Sequence, residues 1–322
     1  MKVSICIITY NHEKYIKDCL ENILKQKTTF DIEIIVGEDE SKDNTNAICK
    51  EYAKRYPTVI KIFNRSQKDA ERKKYTMNAL YNFIQTLGSC TGKYIALCEG
   101  DDYWTDENKL QQQIDFLEQN PDYVACFHNA QIETNGVLQD EFVCKGLMKD
   151  TYTIEDLLQG NKFPTASCVF RNVITEFPDW YKYQAPVGDW FLYLLLLGYG
   201  KAKYFPQVMS VYRIQQGGVH FAINNAKNKQ VKNEKTAALY INYIKTFQEL
   251  NAHYQQKYQA AVYKKILFWY NKLIFPYHKK EHFKAGKQHF IDSLPYFQFQ
   301  DLKLYVRGFF TFFVPVLKWL KK

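Results

Sequence analysis

The 322 residues contain no CxxC pair and no Cys/His spacing of the zinc type, which excludes the common structural zinc modules and thioredoxin-like redox chemistry. GxGxxG and GxxxxGK[ST] are also absent, so neither a dinucleotide fingerprint nor a P-loop is present. Nucleic acid finds no zinc finger, RNP-type strand or GxxG loop to receive it, and no nucleic-acid partner is expected. The eight cysteines sit mostly in apolar settings, Cys6, Cys98 and Cys168 among them, and read as buried free thiols of a reducing compartment. Val3–Ile8 begins an apolar run almost at once, so no signal peptide is expected before the fold.

What is present is an ordinary globular balance of 46% hydrophobic and 24% charged residues, unusually rich in Tyr (25) and Phe (23). Such a length can bury one large core or two smaller ones. The net charge of +9 is uneven: residues 227–322 carry 18 Lys/Arg against 5 Asp/Glu, whereas the first 226 carry 25 against 29. A near-neutral body with a basic end region favours an anionic surface as partner.

Apolar periodicity orders the chain. Val3–Thr9 suits a buried strand, and Ile16, Cys19, Leu20, Ile23 and Leu24 recur at helical spacing behind it. Strands are expected at Ile32–Val36, Val59–Phe63 and Tyr94–Leu97, with helices over Asn44–Tyr56 and Thr76–Leu87. Strand alternating with helix predicts an α/β fold, a mostly parallel Rossmann-like sheet covered on both faces. Its ligand site should lie outside the carboxyl ends of the strands. Further on, Leu110–Glu118 reads as a helix and Val124–Asn129 as a strand. Asn135–Lys149 reads as irregular, Ile154–Leu158 as a short helix and Trp190–Leu197 as a buried one. The polar stretch Asn224–Gln230 suggests a boundary, giving a catalytic domain over 1–225 and a basic, mainly helical region over 226–322.

The most informative segment is Tyr94-Ile95-Ala96-Leu97-Cys98-Glu99-Gly100-Asp101-Asp102-Tyr103. Three carboxylates follow an apolar run where a strand yields to a loop. Clustered acids repel one another and lose solvation on burial, penalties that a cation offsets. Oxygen ligands at a strand end suit a hard divalent ion bound to phosphates. A solvated acidic turn is the alternative.

Val3-Ser4-Ile5-Cys6-Ile7-Ile8-Thr9-Tyr10-Asn11, then Glu38-Asp39-Glu40-Ser41-Lys42-Asp43-Asn44-Thr45, then Glu99-Gly100-Asp101-Asp102 resemble the motifs of the family 2 inverting glycosyltransferases with the GT-A fold. The resemblance covers roughly residues 1–220. It implies transfer of a sugar from a nucleotide-sugar donor to a glycan or lipid-linked glycan hydroxyl, in synthesis of a cell-surface polysaccharide, with Mg²⁺ or Mn²⁺. Carried over by position, Thr9, Tyr10 and Asn11 belong to the nucleotide pocket. Asp39 matches the aspartate that bonds the base, with Glu38 opening that motif, and Glu40 stands where the family usually has glycine. The family's DxD reads Glu99-x-Asp101, with Asp101 as metal ligand and Glu99 facing the donor.

Pro186-Val187-Gly188-Asp189-Trp190 resembles the family's base motif. Asp189 is therefore the expected base that takes the acceptor hydroxyl's proton, and Trp190 packs beneath it or joins the acceptor wall. Asp189 also suits a helix N-cap. Thr165 and Ser167 resemble the segment under donor and acceptor, although as strand residues they read equally well as structural. Tyr212-Arg213-Ile214-Gln215-Gln216-Gly217-Gly218 resembles the loop that closes over the diphosphate, which gives Arg213 a phosphate to pair with, although a lone arginine is more often a surface or fold-stabilising group. Gln215 replaces a histidine common in relatives. Either His220 substitutes as metal ligand, or Asp101, diphosphate oxygens and water suffice.

Beyond the resemblance, Lys303, Arg307, Thr311, Pro315, Lys318 and Lys322 form a polar stripe on an otherwise apolar and aromatic segment. Its uncharged run, Gly308 to Leu317, is half of the ~20 residues a membrane-spanning helix requires. A segment lying in the interface of an anionic bilayer, or packed on protein, fits better. The expectation is a cytoplasmic enzyme, peripheral on the inner face of the plasma membrane. A nucleotidyltransferase would need a phosphate loop that Tyr10-Asn11-His12-Glu13 does not supply. A non-catalytic glycan or nucleotide-sugar binding protein would have no need of Asp189.

Overall fold

The computed structural model describes residues 3–214, 229–274, 283–297 and 301. The chain divides into two compact units, Met1–Tyr183 with Val187–Phe221, and Gln184–Pro186 with Ala222–Lys322. The first unit opens with β1 (Val3–Thr9), α1 (Ile16–Leu24), β2 (Ile32–Glu38), α2 (Thr45–Arg55), β3 (Ile60–Asn64), α3 (Asn78–Leu87) and β4 (Tyr94–Glu99). These four strands are mutually parallel in the order β3-β2-β1-β4, as alternation with helices requires. Ile5 and Ile7 of β1, with Ile34 and Val36 of β2, bury themselves against Ile16, Cys19, Leu20 and Ile23 of α1. On the other face α3 approaches so closely that a Cβ on Gly37 would lie 2.0 Å from Thr86 Oγ1. Only glycine fits there, and Asn82 Nδ2 donates to the Gly37 carbonyl at 2.8 Å.

Beyond β4 the sheet becomes mixed. The chain continues through β5 (Tyr103–Trp104), α4 (Lys109–Gln119), β6 (Tyr123–Thr134), β7 (Val137–Phe142), β8 (Thr151–Tyr152) and α5 (Ile154–Leu158). A 3₁₀ turn at Thr165–Ser167 leads to β9 (Val169–Arg171), α6 (Asp179–Gln184), α7 (Gly188–Leu196) and β10 (Lys201–Ile214). β9 runs antiparallel between β4 and β6, and β10 lies parallel to β6.

Three local expectations are corrected. Residues 135–149 are not irregular throughout, because β7 forms a hairpin with β6 across Asn135-Gly136. Both residues have positive φ (54° and 78°), the conformation that a two-residue hairpin turn favours. Val137 and Leu138 are exposed, so β7 lacks the apolar alternation that marks a half-buried strand. Thr165 and Ser167 stand in the 3₁₀ turn rather than in a strand. Tyr212, Arg213 and Ile214 belong to a strand rather than a loop, paired with Ile132, Glu133 and Thr134. β10 tolerates Pro206 because the register shifts between Phe205 and Val208.

The second unit holds α8 (Lys229–His253), α9 (Gln259–Ile274) and α10 (Phe283–Ser293). Tyr243, Ile244, Phe247 and Leu250 of α8 and Val262, Ile266, Tyr270 and Leu273 of α9 are buried at helical spacing, with Phe290 of α10. Tyr243 stacks on Trp269 with ring centroids 4.2 Å apart. Among the described residues no helix is long and apolar enough to cross a membrane. The stripe from Lys303 to Lys322 lies outside the described residues.

Candidate active site

The register of the parallel strands brings the motifs together. Thr9 pairs with Glu38 on one side of β1, and Ile8 with Glu99 on the other, so three loops leave the sheet at one edge. The first two are laced to each other. Asn11 N donates to Ser41 Oγ at 3.0 Å and Lys42 N to Asn11 Oδ1 at 2.8 Å. His12 N reaches Thr45 Oγ1 at 2.8 Å, and Glu13 N reaches Asp43 Oδ2 at 3.1 Å. Asn11 and Glu40 both hold left-handed backbone, at φ 55° and 59°, a conformation that costs a side-chain-bearing residue roughly 1–2 kcal/mol. Glu40 thus holds a backbone conformation that glycine adopts without strain, and its Oε2 accepts from Gln67 N and Ser66 Oγ.

Glu38 is fully buried and turned inward, accepting from Ser41 N at 2.9 Å and Asn46 Nδ2 at 2.5 Å. Its carboxylate holds the loop in shape. Asp39 is also buried, and both its oxygens face the guanidinium of Arg72, which lies 4.5 Å from the Tyr81 ring. Gln67 Nε2 adds a bond to Asp39 Oδ2 at 3.1 Å. Burial pushes the Asp39 carboxyl above its ordinary value, and Arg72 and Gln67 pull it back. Sequence reasoning missed Arg72 and Gln67. Their only local signal is a basic run before α3. Thr9 is buried, its Oγ1 without a protein hydrogen-bond partner, whereas Tyr10 is exposed.

At the end of β4, Gly100 packs so tightly that a Cβ would lie 2.7 Å from Thr9 Oγ1 and 3.1 Å from His12 Nδ1. Asp101 Oδ2 then stands 3.9 Å from His12 Nε2. Asp102 is buried: Oδ1 accepts from Arg213 N at 2.9 Å, and Oδ2 has no protein hydrogen-bond partner. Arg213 itself is enclosed. Nε donates to Glu133 Oε1 and Nη2 to Asp18 Oδ2, both at 2.8 Å, and Nη1 to the Asp101 carbonyl at 3.1 Å. The guanidinium expected on a phosphate therefore fastens β10 to β6, α1 and the acidic loop.

Asp189 occupies the first turn of α7, whose N-cap is Val187. Its Oδ1 accepts from Trp190 N at 2.7 Å and its Oδ2 from Asn161 Nδ2 at 2.6 Å. Trp190 is buried, with Nε1 donating to the Leu157 carbonyl at 2.8 Å. The Thr165–Ser167 turn is buried too. Ser167 Oγ bonds back to the Pro164 carbonyl at 2.7 Å, and Trp104 Nε1 holds the Ala166 carbonyl at 2.9 Å.

Electrostatics join these segments. Burial, then Asp101, then Asp189 push the Glu99 carboxyl up to about 8. Burial, followed by Glu99, Asp102, Asp101 and Asp189, raises the Tyr212 phenol as well. Glu99 and Asp101 thus share one field with Asp189, which lies 90 positions beyond Glu99 in the chain, and a positive charge would relieve it. Among the described residues no group of three His, Cys, Asp or Glu side chains converges as a metal cage. His220 and Gln215–Gly218 lie outside the described residues.

A family model, Glycosyl transferase family 2, matches residues 4–176. The chain belongs to this family, and the resemblance read from its motifs is borne out. An uncharacterized protein of Mycobacterium tuberculosis is 34% identical over 218 residues, which is 67% of this chain and 60% of that protein. The chain thus spans about 60% of the length of that relative. The GalNAc(5)-diNAcBac-PP-undecaprenol beta-1,3-glucosyltransferase of Campylobacter jejuni is 28% identical over 184 residues, 54% of this chain and 53% of that one. Among solved structures, a mannosyltransferase of Pyrobaculum calidifontis in complex with GDP-Man and Mn²⁺ aligns with a TM-score of 0.52. It is 13% identical and covers 99% of this chain and 82% of its own. That likeness concerns the fold.

Proposed function

We propose that the chain is an inverting glycosyltransferase of the GT-A fold that moves one sugar from a nucleotide-sugar to a hydroxyl of a glycan or lipid-linked glycan. The observation that carries this reading is the strand register that brings the loops after β1, β2 and β4 to one sheet edge, Thr9 beside Glu38 and Ile8 beside Glu99, with Asp101 and Asp189 close enough to raise the Glu99 carboxyl. Family membership supports the reaction class, and the name of the Campylobacter relative suggests a polyprenyl-diphosphate-linked acceptor. The catalytic domain is residues 1–225, and residues 226–322 form its basic extension.

In this reading the nucleoside lies over Thr9, Tyr10 and Asn11, and Asp39 meets the base with Arg72 beside it. Glu99 faces the ribose or sugar. A divalent ion suits the carboxylate-rich loop, where Asp102 keeps one buried oxygen without a protein hydrogen bond. Asp101 would hold it, and its charge would stabilise the departing diphosphate. Asp189 takes the proton of the acceptor hydroxyl as that oxygen attacks the anomeric carbon. Its carboxylate is held for this by Asn161 and the Trp190 amide. A single displacement inverts the anomer. The basic end of the chain would hold the enzyme peripherally at the anionic inner face of the plasma membrane.

Asp189→Asn keeps the size of the side chain and removes the base. Donor affinity should change little while single-turnover transfer falls by about 10²-fold or more. NMR assigns the product anomer. A variant that transfers at the original rate, or a product that retains configuration, would refute the mechanism.

A further inference from the structure

We propose that His12 is a second protein ligand of the divalent ion, offering Nε2 beside Asp101. The inference rests on the glycosyltransferase reading and adds to it a residue that none of the three motifs assigns to the ion. His12 Nε2 and Asp101 Oδ2 are 3.9 Å apart, and the two side chains are 21% and 22% exposed. This separation exceeds a hydrogen bond. It falls within the span of two donors on one ion, which at bond lengths near 2.1 Å lie about 3 Å apart in cis positions and about 4.2 Å apart in trans.

The ring is set for that role. His12 N is held by Thr45 Oγ1, and the His12 carbonyl accepts from Tyr15 N and Ile16 N at 2.9 Å each, starting α1. Backbone and first helical turn therefore fix where the imidazole begins. Its Nδ1 edge is buried without a hydrogen-bond partner and pressed against Gly100, which leaves the Nε2 edge to face Asp101. Thr9 Oγ1, also buried and unpartnered, lies 2.7 Å from the same point above Gly100. Both groups border the same point above Gly100, so Thr9 Oγ1 is the nearest hydroxyl from which Nδ1–H could take the outer support that a metal-bound imidazole usually has. Nε2 then carries the lone pair. Gly100 is what permits the arrangement, because any side chain there would displace both groups. His12 thereby offers the ion a nitrogen from the β1–α1 loop.

An imidazole suits transition ions better than Mg²⁺, so the site should prefer Mn²⁺, and the preference should reside in His12. The probe is Mn²⁺ with UDP, or with GDP where UDP does not bind, on the full chain. Pulsed EPR of the Mn²⁺ complex should show imidazole ¹⁴N coupling in the wild type and none in His12→Gln. Calorimetry should show Mn²⁺-dependent nucleotide binding weakened about ten-fold in His12→Gln, with the Mn²⁺-over-Mg²⁺ preference reduced. Wild-type complexes without nitrogen coupling, or coupling that survives His12→Gln, overturn the proposal. The wild-type spectrum decides this even should the variant fold poorly. Asp101→Asn separates the two levels: metal-dependent binding lost in Asp101→Asn but unaffected by His12→Gln sinks His12 alone. Nucleotide binding indifferent to metal in the wild type sinks the underlying reading with it.

Discussion

Replacing Arg213 by methionine asks what a buried guanidinium is for. The arginine side chain is 8% exposed, Glu133 11% and Asp18 49%. The Asp18 pair is half solvated, and such pairs contribute at most about 1 kcal/mol. The Glu133 pair is different. Removing the cation strands a buried carboxylate, and losing one partner of a buried pair costs about 3–5 kcal/mol. The stack over Tyr103, 4.4 Å from the guanidinium carbon, and the bond to the Asp101 carbonyl go as well. Methionine refills most of the volume, so a destabilisation of about 4 kcal/mol is expected, dominated by Glu133. Urea unfolding at neutral pH measures it. The double variant Arg213→Met/Glu133→Gln should regain part of the loss, because the stranded charge is gone. An Arg213→Met protein with an unchanged urea midpoint and a collapsed affinity for nucleoside diphosphate would refute the argument and return the guanidinium to the phosphate.

Two further outcomes follow from the hydrogen bonds. Burial pushes the Glu33 carboxyl up, but donors from Ser4, both Thr91 groups and Lys61 outweigh it and hold the carboxyl down at about 2, against an ordinary 4.5. Between these values the unfolded chain binds a proton that the folded chain does not, so stability from this group is full above pH 4.5 and lost as pH falls towards 2. Glu33→Gln should flatten that acid limb in urea midpoints taken from pH 6 to about 2.5; an unchanged slope would count against the network. In the proposed mechanism Asn161 positions Asp189 through its 2.6 Å bond to that carboxylate. Asn161→Ala should lower kcat about ten-fold at unchanged donor KM, and Asn161→Asp should lower it further by setting two carboxylates face to face. Equal kcat in all three proteins would remove Asn161 from the mechanism.

What could be read from the chain was whatever is written locally. The four parallel strands announce themselves because each is a short apolar run followed by a helix with its own stripe. Ile16, Cys19, Leu20 and Ile23 are all buried as their spacing requires. The loops at the strand ends are equally local, and their acids stand out against apolar neighbours. The strands that escaped notice lack such marks. β7 is an exposed edge strand, visible only through Asn135-Gly136, and β10 carries a proline and a register shift that break its pattern.

Partners were legible far less than positions, since a partner is chosen by register. Arg213 looked available for phosphate because nothing nearby in sequence pairs with it. Its acids lie 80 and 195 positions away and reach it because β6 and β10 run side by side and α1 passes beneath. The same holds for Asp39 and Arg72, 33 positions apart, and for Asp189: the cap of its helix is Val187, and its second oxygen meets Asn161, 28 positions away. His12 shows the converse. It stands in plain view between Asn11 and Glu13, yet a histidine in a loop carries no message until Gly100 brings Asp101 to within 3.9 Å of its ring. Gly100, the unassigned middle position of Glu99-x-Asp101, is thus the residue whose missing side chain lets Thr9 and His12 close on the acidic loop.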